Sequence, residues 1–407
     1  MKKKVIAVFT GNRAEYGLQF PILKAIKNHS DLDYKLIVSG AHLDRNFGET
    51  ISEIENDGFE IHAEVKIDIE EDTLYATAQA IGTGILSMSQ ALDEIRPDML
   101  VVYADRFEGF AAVIAGTQMN VPTAHIEGGD ITEGGALDDS VRHAMTKLSH
   151  LHFTTNQQAS NRLLAMGEEP WRVHTVGFPA IDLIKENNFA KPDEIVEKYR
   201  INLDKPVVLF TQHSVTTEFD QADEQLAPSL VVIERLAGEG VQVILTYPNN
   251  DAGGRRIIKK LEEFAAQDKP NIQLHRSLGR YFYHGVLSLS TQAGYQAVCV
   301  GNSSSGIKET PAFFCPTVNI GSRQQGRLRA ENVIDADYDS DQIYNAIKRS
   351  LSPEFREICN NCSNPYGVGD AGIKIANCLA ETELDLTKLL RKGMTLRGEC
   401  NDEGWRK

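Results

Sequence analysis

The first cysteine of this 407-residue chain is Cys299, and Cys315, Cys359, Cys362, Cys378 and Cys400 follow it in the last third. A disulfide scaffold is thereby excluded for most of the chain, and the thiols are expected to stay reduced. Cys359 and Cys362 form a CxxC with no second CxxC and no neighbouring His pair, so two small thiols at local helical spacing are expected rather than a zinc site. Long apolar runs are missing too. The opening MKKKVIAVF carries only a short one, read as a first strand and not as a signal peptide or membrane span, which sets the expectation of a cytoplasmic protein. Positive charge is outnumbered: 42 Lys and Arg face 57 Asp and Glu, a formal net charge of −15. Nucleic acid and anionic membranes are excluded as main partners, whereas a phosphorylated small molecule can still be held by local donors. There is no GxGxxG, Walker loop, HExxH or GxSxG, so no NAD, ATP or other cofactor and no metal are expected.

What is present is alternation. Strand-like runs at Val5 to Thr10, Tyr34 to Ser39, Met99 to Ala104, Pro122 to Glu127, Leu151 to Thr154 and Val173 to Val176 are separated by helical patterns. That is the pattern of an α/β, doubly wound sheet, complete near Gly177 and Phe178. The polar stretch NNFAKPDEIVEKYRINLDKP reads as a linker. A second series follows at Val207 to Thr211, Val241 to Tyr247, Ile272 to Leu274, Ala297 to Val300 and Thr317 to Ile320, and a helical run from Ala371 to Glu381 closes the pattern. Two Rossmann-like domains are expected, residues 1–180 and 181–365, with ligands at the carboxyl ends of their strands in an interdomain cleft. Residues 386–407 are expected to be a peripheral tail.

The segment His125 to His143 packs Glu127, Asp130, Glu133, Asp138 and Asp139 among four glycines. Crowded carboxylates shift each other's pKa values and suit acid/base work, although a solvated loop leading into a capped helix is the alternative. Asp105 and Arg106 end an apolar strand, where an Asp can also be a helix cap. Thr10 to Gly17 forms a strand, glycine turn and helix start, a ready anion site with Arg13 as its cation, or else a plain turn. Gly301 to Gly306 places Ser303, Ser304 and Ser305 after another strand, with Glu309 expected one to two turns into the next helix to accept ribose hydroxyls, and with Arg323 and Arg327 following. His213 and Asn249 end neighbouring strands of the second series; each is a ligand candidate or a structural residue.

The stretches GNRAEYG, GAHL, ADRFE, HIEGGD, LDDSVRHAMTKLSH, QHSVTT, PNNDAG, GNSSSGIKE and GSRQQGR, within a match running roughly from Val5 to Ile375, resemble the hydrolysing UDP-N-acetylglucosamine 2-epimerases of the bacterial sialic-acid-pathway type. They are similar also to the epimerase half of the bifunctional animal enzyme. The resemblance implies a glycosyltransferase-B-like architecture, UDP held mainly by the second domain, and a C-terminal helix at about 366–385 returning to the first. It implies that Arg13, Asn249, Ser303, Ser304, Glu309 and Arg323 hold UDP, that His213 lies against the diphosphate, and that His42, Arg106, Asp138 and Arg142 surround the sugar. Asp105, Glu127 and Asp139 would carry the proton transfers, with His213 beside them. The implied reaction converts UDP-N-acetylglucosamine and water to N-acetylmannosamine and UDP in a homodimer or homotetramer. The same reaction on UDP-N,N'-diacetylbacillosamine, or a UDP-sugar glycosyltransferase, is the alternative. Departures from the common pattern are Ala104 for glycine, Tyr103 for histidine and Glu15 for aspartate.

Overall fold

Runs such as MLVVY and VVLFT, apolar at nearly every position, become strands buried along their whole length, as parallel sheets covered by helices on both faces require. The computed structural model describes residues 3–43, 51–67, 74–131, 137–249 and 253–395. The chain divides into a first unit of Met1–Asp130, Leu137–Asp182 and Tyr366–Lys407, and a second of Ile131–Ala136 and Leu183–Pro365.

The first unit holds β1 (Lys4–Thr10), β2 (Leu32–Ser39), β3 (Ile61–Val65), β4 (Met99–Tyr103), β5 (Thr123–Ile126), β6 (Leu151–Thr154) and β7 (Val173–Thr175), in the order β3-β2-β1-β4-β5-β6-β7. The second holds β8 (Val207–Thr211), β9 (Gln242–Thr246), β10 (Ile272–His275), β11 (Ala297–Gly301), β12 (Thr317–Ile320) and β13 (Val333–Ala336), ordered β10-β9-β8-β11-β12-β13. All pairings are parallel. Each sheet therefore reverses its winding once, at β1/β4 and at β8/β11, and the loops beyond those carboxyl ends are where such folds bind ligands. Neither β3 nor β13 was expected from the sequence. Both are edge strands, partly exposed, so IHAEV and VIDA admit polar residues and lose the apolar signal.

Apolar clusters pad both faces of each sheet: Ile6, Val8, Val101 and Phe153 on one side of the first, Ala7, Phe9, Leu100 and Val102 on the other. Fully burying such a side chain contributes roughly 1.5–3 kcal/mol. The helix Ala371–Glu381 belongs to the first unit and is tied there by Asp182, whose two carboxylate oxygens accept the Ala371 and Gly372 N–H groups at 3.0 and 2.7 Å. Gly372 cannot be larger, because a Cβ there would stand 2.7 Å from the Pro21 carbonyl oxygen.

The segment 386–395 is not peripheral. Leu389 is buried in the first core. Fully buried Arg172 donates to the carbonyls of Leu389 (2.8 Å), Lys388 (3.1 Å) and Arg391 (2.8 Å). Lys392 pairs with Glu168 at 2.8 Å and donates to the Thr146, Lys147 and Ser149 carbonyls, at the end of the helix Leu137–Leu148. A short polar segment conceals this docking because its partners lie more than two hundred residues away. Residues 396–407 lie outside the described set.

Candidate functional site

In the first unit the chemistry gathers beyond β4 and β5. Ala104 and Glu127, the residues just past these strands, both take left-handed backbone (φ 54° and 64°). Such conformations cost non-glycine residues energy and persist only where the surroundings over-determine them. They do here: the Ala104 N–H donates to Ile126 O at 3.0 Å, and its carbonyl accepts from His125 Nε2 at 2.7 Å. Burial pushes the His125 imidazole down to about 3, so it is neutral and serves as a fixed brace. The sharp turn hands the chain to Asp105.

Asp105 meets Arg142, an almost fully buried cation on the helix Leu137–Leu148. The same guanidinium donates to Asp139 Oδ1 at 3.0 Å and to the Asp130 carbonyl at 2.7 Å. Arg142 thus draws two carboxylates from different elements together and supplies the charge that a buried pair of anions needs. Glu127 is buried and lies beside Tyr103, whose phenol is pushed well above its ordinary value by burial and then by the Glu127 charge. Asp138, in the first turn of the same helix, is exposed, while Asp139 is buried.

Asp130, expected in a solvated loop, is buried and accepts from Thr155 Oγ1 at 2.9 Å and Asn156 Nδ2 at 3.1 Å. These partners, twenty-five residues on, turn a loop carboxylate into a bracing group. Glu133 lies outside the described residues. His42, expected beside the sugar, ends a 3-10 turn after β2 and is fully buried, with Nε2 3.2 Å from Thr10 Oγ1; burial lowers it to about 4. Arg106 precedes the next helix, half exposed, its Nε 3.4 Å from Glu108. Glu15 is buried, accepts the Gly11 N–H and the Gln19 amide at 3.1 and 2.8 Å, and is raised to about 8 by burial and then by the nearby Glu108. Arg13 opens the helix Arg13–Asn28; its side chain is outside the described set.

In the second unit the loops beyond β8, β9 and β11 converge. Gly301 ends β11 at φ 126°, and a Cβ there would fall 1.9 Å from the Thr211 carbonyl oxygen of β8. Only glycine lets these two strand ends lie so close. Asn302, given no role of its own by the sequence beyond its place in the serine loop, is the tie: it accepts the His213 N–H at 2.6 Å, donates to the His213 carbonyl at 2.9 Å, and offers its own carbonyl to Arg323 at 3.2 Å and Gln324 at 2.9 Å. His213 Nδ1 lies 2.9 Å from Asn249 Oδ1 and 3.1 Å from the Asn249 backbone nitrogen, so Asn249 holds the ring through both its side chain and its backbone. Burial, then the charge of Arg323, push this imidazole down to about 3. Ser303 Oγ lies 3.1 Å from Ser305 Oγ, and Ser304 precedes the next helix. That helix, Ser305–Lys308, is only four residues long. The long helix expected here is absent because Pro311 opens a separate 3-10 turn, so Glu309 sits at its end and not one to two turns inside. The donors this loop offers an anion are therefore hydroxyls, local N–H groups and Arg323, without a long helix dipole behind them.

Among the described residues no cluster of three or more His, Cys, Asp or Glu is placed to hold a metal ion, and no helix is long and apolar enough to cross a membrane. Cys359 and Cys362 are buried free thiols, both raised by burial.

The sequence pattern of the UDP-N-acetylglucosamine 2-epimerase family matches residues 24–380. The chain belongs to this family. It is 35% identical over 370 residues, covering 91% of this chain and 93% of the other, to a UDP-N,N'-diacetylbacillosamine 2-epimerase (hydrolyzing) of Legionella pneumophila. It is 33% identical over 354 residues, 86% and 88% of the two chains, to a UDP-N-acetylglucosamine 2-epimerase of Neisseria meningitidis serogroup B. Its fold matches the crystal structure of a UDP-GlcNAc 2-epimerase from Neisseria meningitidis bound to UDP-GlcNAc with a TM-score of 0.73, at 19% identity over 93% of this chain and all of that one. The likeness at that identity is one of fold, the glycosyltransferase-B-like pairing of two parallel-sheet units. The protein is an enzyme of the hydrolysing 2-epimerase family.

Proposed function

We propose that this epimerase converts UDP-N-acetylglucosamine and water to N-acetylmannosamine and UDP. The observation that carries the reading is Arg142 holding Asp105 and Asp139 together at the carboxyl edge of the first sheet, next to a strained, buried Glu127. The C2 proton of the sugar is weakly acidic, so its removal has to accompany departure of the diphosphate from C1. A carboxylate takes the C2 proton, the C1–O bond breaks with its electron pair leaving on UDP, and a C1=C2 glycal remains. Water then adds across that bond: its hydroxyl goes to C1, and a proton is delivered to the opposite face of C2, which inverts that carbon. Asp105, Glu127 and Asp139 are assigned these proton transfers. His42, Arg106, Asp138 and Arg142 are assigned to orienting the sugar. Arg13, Asn249, Ser303, Ser304, Glu309 and Arg323 are assigned to UDP, whose growing negative charge is met by fixed donors, with His213 lying against the diphosphate.

A second reading has the same steps on UDP-N,N'-diacetylbacillosamine, and the 35% identity to an enzyme so named supports it. We take the working form to be a homodimer or homotetramer in the cytoplasm, supplying free N-acetylmannosamine to sialic-acid synthesis; sedimentation at assay concentration tests the assembly.

The decisive experiment incubates the protein with UDP-N-acetylglucosamine in deuterated water, without an acceptor, and follows the products by NMR. Free mannosamine carrying deuterium at C2 is expected. No UDP release from either this nucleotide or the diacetamido one would overturn both epimerase readings, and far faster turnover of the diacetamido nucleotide in competition would select the second.

A further inference from the structure

Nothing in the sequence singled out the helix Gly279–Ser288, yet two consecutive residues of it stand directly behind the serine loop of the second unit. The Tyr283 hydroxyl is 2.5 Å from Ser305 Oγ, which in turn is 3.1 Å from Ser303 Oγ. His284 Nε2 is 2.7 Å from Glu309 Oε2. His284 is 3% exposed, tilted against the Phe313 ring at 5.4 Å, and its Nδ1 is buried and meets no hydrogen-bonding group among the described residues.

Those positions set the direction of the bond. Glu309 Oε2 accepts and His284 Nε2 donates. The ring thereby fixes one carboxylate oxygen in place. Oε1 of Glu309 takes no hydrogen bond from the described residues, and the side chain stays 15% exposed. A carboxylate anchored by one oxygen and open at the other is oriented to accept from a neighbouring pair of hydroxyls.

We propose that His284 is a positioning residue through which Glu309 recognises the cis-diol of the nucleotide's ribose. The proposal rests on the reading above that the second unit holds UDP, and adds to it the device that sets ribose recognition. A glutamate left free to rotate would lose orientation on ordering, whereas one fixed in advance retains its hydrogen bonds at lower entropic cost. In a mutant series the amide of Gln places a donor near Nε2, whereas that of Asn reproduces only the Nδ1 position. Gln should therefore rescue, and Asn should not.

The test is calorimetric titration of the full chain with UDP and with 2',3'-dideoxy-UDP, with thermal melting alongside. Wild type is expected to prefer UDP at least tenfold. His284→Phe and His284→Asn should reduce that preference to under threefold while leaving dideoxy-UDP affinity within threefold, and His284→Gln should keep most of it. If His284→Phe does not fold, the Asn and Gln pair decides. A wild-type preference retained in His284→Asn, or equal loss in Asn and Gln, overturns the proposal. Equal wild-type affinity for the two nucleotides overturns it while leaving UDP binding intact, and failure of wild type to bind UDP at all removes the functional reading together with it.

Discussion

Both sheets share one strand order up to their sixth strand and equip their strand ends in opposite ways. Beyond β4 and β5 the first unit places anions, Asp105, Glu127 and Asp139, and bends the chain with non-glycine residues in left-handed backbone. At the corresponding place beyond β11 the second unit uses Gly301 and then neutral donors, Asn302 and the serines. The first arrangement stores strain and charge, which on the proposed function serves bond-breaking; the second offers relaxed donors, which on that proposal hold the diphosphate. One winding topology can thus carry two kinds of site, and the difference resides in a few residues past the strand ends.

The largest effect is expected from Glu127→Gln. Free-sugar release should fall by roughly 10²–10⁴ while UDP binds as in wild type, and NMR turnover with calorimetry checks both halves. Next is Arg142→Met, which leaves two carboxylates without their shared cation and should cost about 3–5 kcal/mol in urea unfolding together with most of the activity. Adding Asp139→Asn should restore part of the stability. The reciprocal exchanges Gly301→Ala and Ala104→Gly sharpen the contrast directly. The first forces a methyl against the Thr211 carbonyl and should destabilise by about 3 kcal/mol or more and abolish UDP binding, whereas the second relieves left-handed strain and should be neutral within about 1 kcal/mol.

Acid should also separate the units. In the first, burial holds His42, His150 and His152 at about 4 and His125 at about 3, against roughly 6.5 when unfolded. Their folded values are depressed, so their contribution is present above pH 6.5 and is lost as pH falls toward 4. Glu15, raised to about 8, acts oppositely: its contribution is present below its unfolded value and is lost as pH rises through 8. Four histidines outweigh it below pH 6.5. The second unit has His213 at about 3 and a lowered His275. Amide exchange at pH 5 should therefore show the first unit opening first, and earlier loss in the second would contradict the assignment. The smallest effect is expected from Ser303→Ala, about fivefold in UDP affinity with kcat unchanged.

The central strands were legible because burial on both faces leaves continuous apolar runs, and β6, β8 and β12 match the expected limits at both ends. Edge strands β3 and β13 were not, since one side of each faces solvent. Asp105, Asn249 and the serine loop were legible as polar residues directly after apolar strands, and Asp139 as one of the crowded carboxylates between His125 and His143. Asp130, Asn302, Tyr283 and His284 were not, because each acquires its role from a partner twenty or more residues distant, and spacing carries no trace of such pairs.

By itself the sequence determined the two α/β units and which strand ends carry carboxylates and which carry hydroxyls, because periodicity and polarity are local quantities that the chain displays directly. Only the tertiary structure decided which carboxylates share Arg142, that Asp130 braces instead of facing water, that Glu309 is steered by His284, and that residues 386–395 clasp the helix bearing Asp139. Those are outcomes of long-range burial, where a polar group must find its partner wherever the fold brings one within reach.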